Sequence, residues 1–199
     1  MIYSLNGIIV NKDIDFVVIE CSGVGYGCRT TTSTLSKIGK IGENVKLLTY
    51  LHVREDAVEI FGFYDSQELN CFKMLISVSG VGPKAALAIL SDISAEKFAL
   101  IVASEDSKEF TKIKGIGIKI AQRIVLELKD KIKKENIKFV ESNKDIINID
   151  KNENLNEAFS ALLVLGYTNS EVTTVLKKVD TSLPSAEIIK QSLKLIGFK

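Results

Sequence analysis

Apolar positions change their period once along this chain, near residue 63. Before that point they run in short stretches, at 2–5 with 7–10, then 16–20, 26–32, 45–53 and 58–63. These stretches are rich in β-branched and aromatic residues and are separated by glycines and polar turns, which is the strand signature. Short strands so closely spaced predict a small closed β-barrel of the OB type over residues 1–63. Gly23-Val-Gly25-Tyr26-Gly27 predicts a tight corner or bulge; no helix follows it, so it is not a phosphate loop.

Helical spacing takes over at residue 64. Asp65-Ser-Gln-Glu68 predicts a capping box opening a helix with Leu69, Phe72, Leu75 and Ile76 on one face. Ser94 is placed to cap a helix over 95–103, and a short helix is expected near 108–113. A long helix follows Gly117 and ends in Lys129-Asp-Lys131-Ile-Lys133-Lys134, cations near its C-terminus. Residues 64–134 therefore predict a compact all-α domain. From 135 to 153 the chain turns to Lys, Asn, Asp and Glu without periodicity, the composition of a flexible linker. Order resumes over 154–199 with three helices. Leu155, Phe159, Leu162 and Leu163 mark the first, which stops at Leu165-Gly166-Tyr167; the second covers about 170–178 and the third runs from Pro184 to near Gly197. A module of that size barely covers its own core, and loosely tethered it suits partner docking better than catalysis. The fold class expected is multi-domain α+β.

Two segments of the helical region repeat one another. Leu75-Ile-Ser-Val-Ser-Gly80-Val-Gly82-Pro-Lys84 and Phe110-Thr-Lys-Ile-Lys-Gly115-Ile-Gly117-Ile-Lys119 each place an apolar run before Gly-aliphatic-Gly, and a basic residue two positions after it. Glycine permits positive φ and leaves no Cβ in a ligand's way. Pro83 suits the first turn of the following helix, where its missing N–H is no loss. The free amides at that helix start and the positive end of its dipole favour an anion, and Lys84 and Lys119 add a cation beside it. A single copy reads equally well as an ordinary αα-turn. Two copies at a common offset point to tandem helix-hairpin-helix units that grip phosphates without reading bases.

Composition narrows the class. The chain has 199 residues, 46% hydrophobic and 26% charged, as expected of a globular protein. The N-terminus lacks a signal-peptide layout and no apolar run is long enough to span a bilayer. Cys21, Cys28 and Cys71 have no metal-type spacing and read as reduced thiols in a cytoplasmic protein. Net charge is only +1, but residues 63–140 carry 13 Lys and Arg against 10 Asp and Glu, so the excess lies on the hairpin segment. No P-loop or Ser/His/Asp constellation occurs, and His52 has no metal-ligand partners at the right spacing. A binding protein is expected, with no catalytic residue, metal or cofactor. Two alternatives are a helix-hairpin-helix repair enzyme, such as a glycosylase or nuclease, and an OB-fold single-strand binder. The absence of tryptophan and the few stacking aromatics count against the second. Glu55-Asp56, between two strong strands, reads from spacing as a solvated hairpin turn.

The motifs in order are Val53-Arg54-Glu55-Asp56-Ala57, Phe61-Gly62-Phe63, the two glycine hairpins with Ala121 and Arg123, and a tail with Leu165-Gly166-Tyr167. Together they resemble the RuvA family, the Holliday-junction-binding subunit of the bacterial branch-migration complex. The resemblance spans essentially the full length. It implies a homotetramer, in some cases a face-to-face octamer, on an open four-way DNA junction during recombination and repair. It implies DNA contacts at Gly80, Gly82, Lys84, Gly115, Gly117, Lys119 and Arg123. It turns Glu55 and Asp56 into an acidic pin near the crossover. It implies that residues 154–199, a UBA-like module, dock the hexameric RuvB ATPase, with a junction resolvase in the same complex. Ile118 stands where the family often has Lys, and Lys114 where Pro is common. The second grip is therefore expected to rest on Lys119, Arg123 and backbone N–H groups, with Lys114 restoring a charge.

Overall fold

A computed structural model describes residues 1–142 and 152–197. The strands β1 (Ser4–Lys12), β2 (Phe16–Cys21), β3 (Val24–Arg29), β4 (Asn44–Val53) and β5 (Val58–Phe63) close a barrel in the order β1-β2-β3-β5-β4. All neighbours are antiparallel except β3 and β5, whose parallel pairing completes the OB-type closure. Leu5, Ile9, Val17, Ile19, Cys28, Val45 and Leu47 fill its interior. The β2–β3 corner falls at Ser22 and Gly23, both at positive φ, while Gly25 and Gly27 lie within β3.

One barrel element differs from expectation. The stretch expected as strand to residue 32 leaves the sheet at Arg29, and α1 (Thr32–Lys37) follows. Thr31 drives the change, because its hydroxyl accepts from the Thr34 amide and caps the helix.

Helices α2 (Ser66–Ile76), α3 (Pro83–Asp92), α4 (Ala95–Ala103), α5 (Ser107–Thr111) and α6 (Ile118–Ser142) form the central domain. Asp65 caps α2 by accepting from the Glu68 amide, but the box is only half made. The Glu68 side chain turns inward instead, where Thr31 and Thr34 each donate a hydroxyl hydrogen bond to its carboxylate. Ser94 caps α4 as expected. α6 continues past the lysine cluster to Ser142. The linker expected over 135–153 thus begins within helix, and its residues 143–151 lie outside the described residues.

The barrel and the helices share a seam. Phe72 of α2 packs on Phe61 and Phe63 of β5 with ring centroids 5.2 and 4.8 Å apart. All three rings are fully buried, and truncating such a ring typically costs about 3–5 kcal/mol.

Helices α7 (Glu153–Val164), α8 (Asn169–Leu176) and α9 (Ser185–Gly197) follow. Gly166, at φ +92°, ends α7, with amide bonds from Gly166 to Leu163 O and Tyr167 to Leu162 O. This module does not stand apart. Leu155, Ala158, Phe159, Leu162 and Val164 are buried in one continuous core with α2 and α4. Gln67 Nε2 donates to the Tyr167 hydroxyl at 2.7 Å, and Asn70 Nδ2 donates to Leu165 O at 3.2 Å. An α7 apolar on nearly every side needs more cover than α8 and α9 give, and the central domain supplies it.

Candidate nucleic-acid interface

The two hairpins have one backbone frame. In the first, Val78 N–H donates to Leu75 O, Val81 N–H to Val78 O, and Ala86 N–H to Gly82 O, each at 3.0 Å. In the second, Ile113 donates to Phe110 O, Ile116 to Ile113 O and Ala121 to Gly117 O, at 3.1, 3.1 and 3.0 Å. Every donor and acceptor is displaced by the same number of residues as Gly80 is from Gly115.

Gly80 and Gly115 sit at φ +86° and +89°, where an L side chain is strained. Between each glycine pair, Val81 and Ile116 are buried and anchor the turn. Gly82 is the N-cap of α3 and has no side chain with which to cap it. Gly117 occupies the equivalent place before α6. The first-turn amides of both helices therefore have neither an intrahelical acceptor nor a side-chain cap. Lys84 and Lys119, at the second position of each helix, are exposed. Each helix start thus brings together helix amides, a dipole end and one ammonium, an arrangement that favours an anion.

The hairpins differ in what surrounds them. Pro83 begins α3, whereas Ile118, 63% exposed, begins α6. Lys114 is exposed beside Gly115. α6 also braces the first turn. Arg123 Nη1 donates to Ser79 O at 3.2 Å, Glu127 Oε2 accepts from the Ser79 amide at 3.3 Å, and Lys131 Nζ donates to Ser77 O at 3.1 Å. Arg123 thus lies between the two hairpins, exposed, with one nitrogen on the first turn. The bracing roles of Glu127 and Lys131 were not visible in sequence; their spacing at 123, 127 and 131 marks one helix face, but nothing in it names the turn they reach.

Glu55 and Asp56 form the exposed tip between β4 and β5. The hairpin closes beneath them through Arg54 N–H to Ala57 O at 2.8 Å and the paired residues Val53 and Val58, both largely exposed. Two carboxylates thus project on an apolar stem. The tip stands on the barrel and the glycine hairpins on the helical domain, so their relation depends on the seam. The aromatic stack and Glu68 fix it. Glu68 is 3% exposed; burial raises its pKa above the ordinary value, opposed by the Thr31 and Thr34 hydroxyls.

Elsewhere, burial pushes the Cys28 thiol up to about 12 and holds Cys71 well above its usual range, so neither is a ready nucleophile. Among the described residues no group of His, Cys, Asp and Glu has a metal-site arrangement, and no helix is long and apolar enough to cross a membrane.

Known proteins share this plan throughout. Residues 1–62 match the family described as RuvA N terminal domain, 72–130 the SAM-like helix-hairpin-helix tandem, and 153–197 the RuvA C-terminal domain. The Holliday junction branch migration complex subunit RuvA of Acetivibrio thermocellus is 48% identical over 194 residues, covering 96% of each chain. The proteins of the same name from Thermoanaerobacter sp. and Ruminiclostridium cellulolyticum are 45% and 40% identical, covering 98% of each chain and 96% and 97% respectively. With the barrel, the tandem hairpins and the C-terminal helices all matched in order, this chain belongs to the RuvA family.

Proposed function

We propose that this protein is a non-catalytic, structure-specific DNA-binding subunit that holds a four-way junction open and presents it to an ATP-driven motor. The duplicated hairpin frame is the observation that supports this most. Two uncapped helix starts on one backbone frame, each with a lysine at the second position, suit two backbone phosphates and offer nothing for base recognition. Gly80, Gly82 and Lys84 form the first grip; Gly115, Gly117 and Lys119 form the second, with Arg123 between them. The relatives' shared name, a Holliday junction branch migration complex subunit, agrees with this chemistry.

Four copies around the junction match its four arms, since a closed ring of like subunits presents equivalent grips to equivalent duplexes. Glu55 and Asp56 then converge near the crossover. Carboxylates beside phosphates cost electrostatic energy, so they serve as a wedge against re-annealing rather than as a source of affinity. The C-terminal module docks the RuvB motor, for which the groove between α8 and α9, with Val175, Leu195 and Ile196, offers an apolar surface. The site of action is the cytoplasm, where the chromosome is.

The salt dependence of junction binding tests the grips. Replacing either Lys84→Ala or Lys119→Ala should weaken binding and flatten the slope of log Kobs against log salt by roughly 0.9 for each phosphate no longer neutralised. An unchanged slope in both variants contradicts phosphate binding at the hairpins.

A further inference from the structure

A line of charged side chains joins the acidic tip to the first hairpin. Glu59, on β5, is 22% exposed and is engaged at both carboxylate oxygens. Its Oε1 accepts from Arg29 Nε at 3.0 Å, and its Oε2 accepts from Arg54 Nη2 at 3.3 Å. The Arg29 hydrogen bond, with the charges of Arg29, Arg54 and Lys84, holds this carboxyl below its ordinary range, against the opposing effect of burial. Arg29 ends β3 and also approaches Asp15 Oδ2 at 3.5 Å. It shares with Lys84 and Ser91 a cleft of about 340 Å³ between barrel and α3. From tip to hairpin the order is therefore Arg54, Glu59, Arg29, Lys84.

The charge balance of this line is not that of a simple structural ion pair. Two arginines contact Glu59 and Lys84 adds its charge, against two carboxylates, Glu59 and the 67% exposed Asp15 that pairs with Arg29. A guanidinium has five N–H donors in a rigid fork. Glu59 occupies one on Arg54 and one on Arg29. Asp15 faces a second nitrogen of Arg29, Nη1, at 3.5 Å, and the Arg54 and Arg29 side chains remain 53% and 38% exposed. A carboxylate that fixes two forks and leaves most of their donors open prepares them for a planar, multi-oxygen anion.

Resting on the junction-binding reading above, we propose that Arg29 and Arg54, oriented by Glu59, form a further phosphate contact, on the strand that passes from the first hairpin to the crossover. Only branched DNA brings a strand this close to the tip, so the contact adds to junction binding and not to binding of a linear duplex. It also sets attraction next to the repulsion of Glu55 and Asp56, which defines where the strand must part from its partner. Glu59 is a positioning residue: it touches no DNA and acts through the two arginines.

Salt-dependent binding of the full-length protein to a four-way junction and to a linear duplex tests this, with Arg29→Gln, Arg54→Gln, Glu59→Gln, Arg29→Lys and, as references, Lys84→Ala and Lys119→Ala. Each Arg→Gln change should lower the junction slope by roughly 0.9, the value for one phosphate, and leave the duplex slope unchanged. Glu59→Gln should keep the slope, and Arg29→Lys should restore the charge-dependent part of it. If Lys84→Ala flattens the junction slope while both Arg→Gln variants match wild type, the bridge is only an ion pair, and the proposal is overturned. Equal losses on duplex and junction overturn it too. If Lys84→Ala and Lys119→Ala both leave the slope intact, the hairpin reading fails instead, and the arginine contact that rests on it is overturned with it.

Discussion

A glutamate left 3% exposed needs hydrogen-bond donors, and Glu68 has two, the hydroxyls of Thr31 and Thr34. Both hydroxyls already accept backbone amides, from Thr34 and Tyr64, so their protons are free to point at the carboxylate. Burial nevertheless dominates and raises the pKa; nearby Asp65 adds to the rise and Lys37 opposes it. The folded protein then holds this proton more tightly than the unfolded chain does. The Glu68 contribution is fully present below the ordinary value of 4.5, and is lost as pH rises through the elevated folded value. Measured by thermal melting, the gap between wild type and Glu68→Gln should move in favour of wild type as pH falls toward 4.5. A gap that is flat with pH, or that moves the other way, contradicts a raised pKa at this site.

At the scale of elements, the proposed function has the hairpin tip and the paired turns act on DNA in opposite senses. Like charges about 4 Å apart cost about 1 kcal/mol in water and about 4 kcal/mol near a protein surface. Replacing Glu55→Gln and Asp56→Asn together should therefore raise affinity for linear duplex by roughly tenfold, about 1.4 kcal/mol, and reduce the preference for junctions. Gel-shift titration of both DNAs checks this, and an unaltered preference removes the wedge role. The turns and strands were legible because their signals are local: β-branched runs, Gly-aliphatic-Gly, Asp65 and Ser94 at helix starts. α1 was not, since six residues rich in threonine carry no helical period and only the Thr31 cap reveals it. Half of the expected capping box did not form because Glu68 found partners in the barrel, more than thirty residues away. The docking of α7 was hidden for the same reason. Its polar contacts join Gln67 to Tyr167 and Asn70 to Leu165, pairs 100 and 95 residues apart. A Cβ at Gly166 would strike the Asn70 side chain, so this glycine serves both the helix end and the contact.

For the molecule as a whole, the aromatic seam and the Glu68 clamp make the barrel and the hairpin domain one body, so under the proposed function the tip and both hairpins meet DNA together. A binder built this way recognises the shape of the DNA through its phosphates and is indifferent to sequence. Equilibrium binding of the intact protein to a four-way junction, to linear duplex of the same arm sequence and to single strand, at one stated salt concentration, tests that claim most directly. The junction should bind at least about tenfold more tightly than duplex, an advantage of about 1.4 kcal/mol, whatever the arm sequence, with single strand weakest. Equal affinity for junction and duplex, tightest binding to single strand, or a preference that follows arm sequence would contradict it.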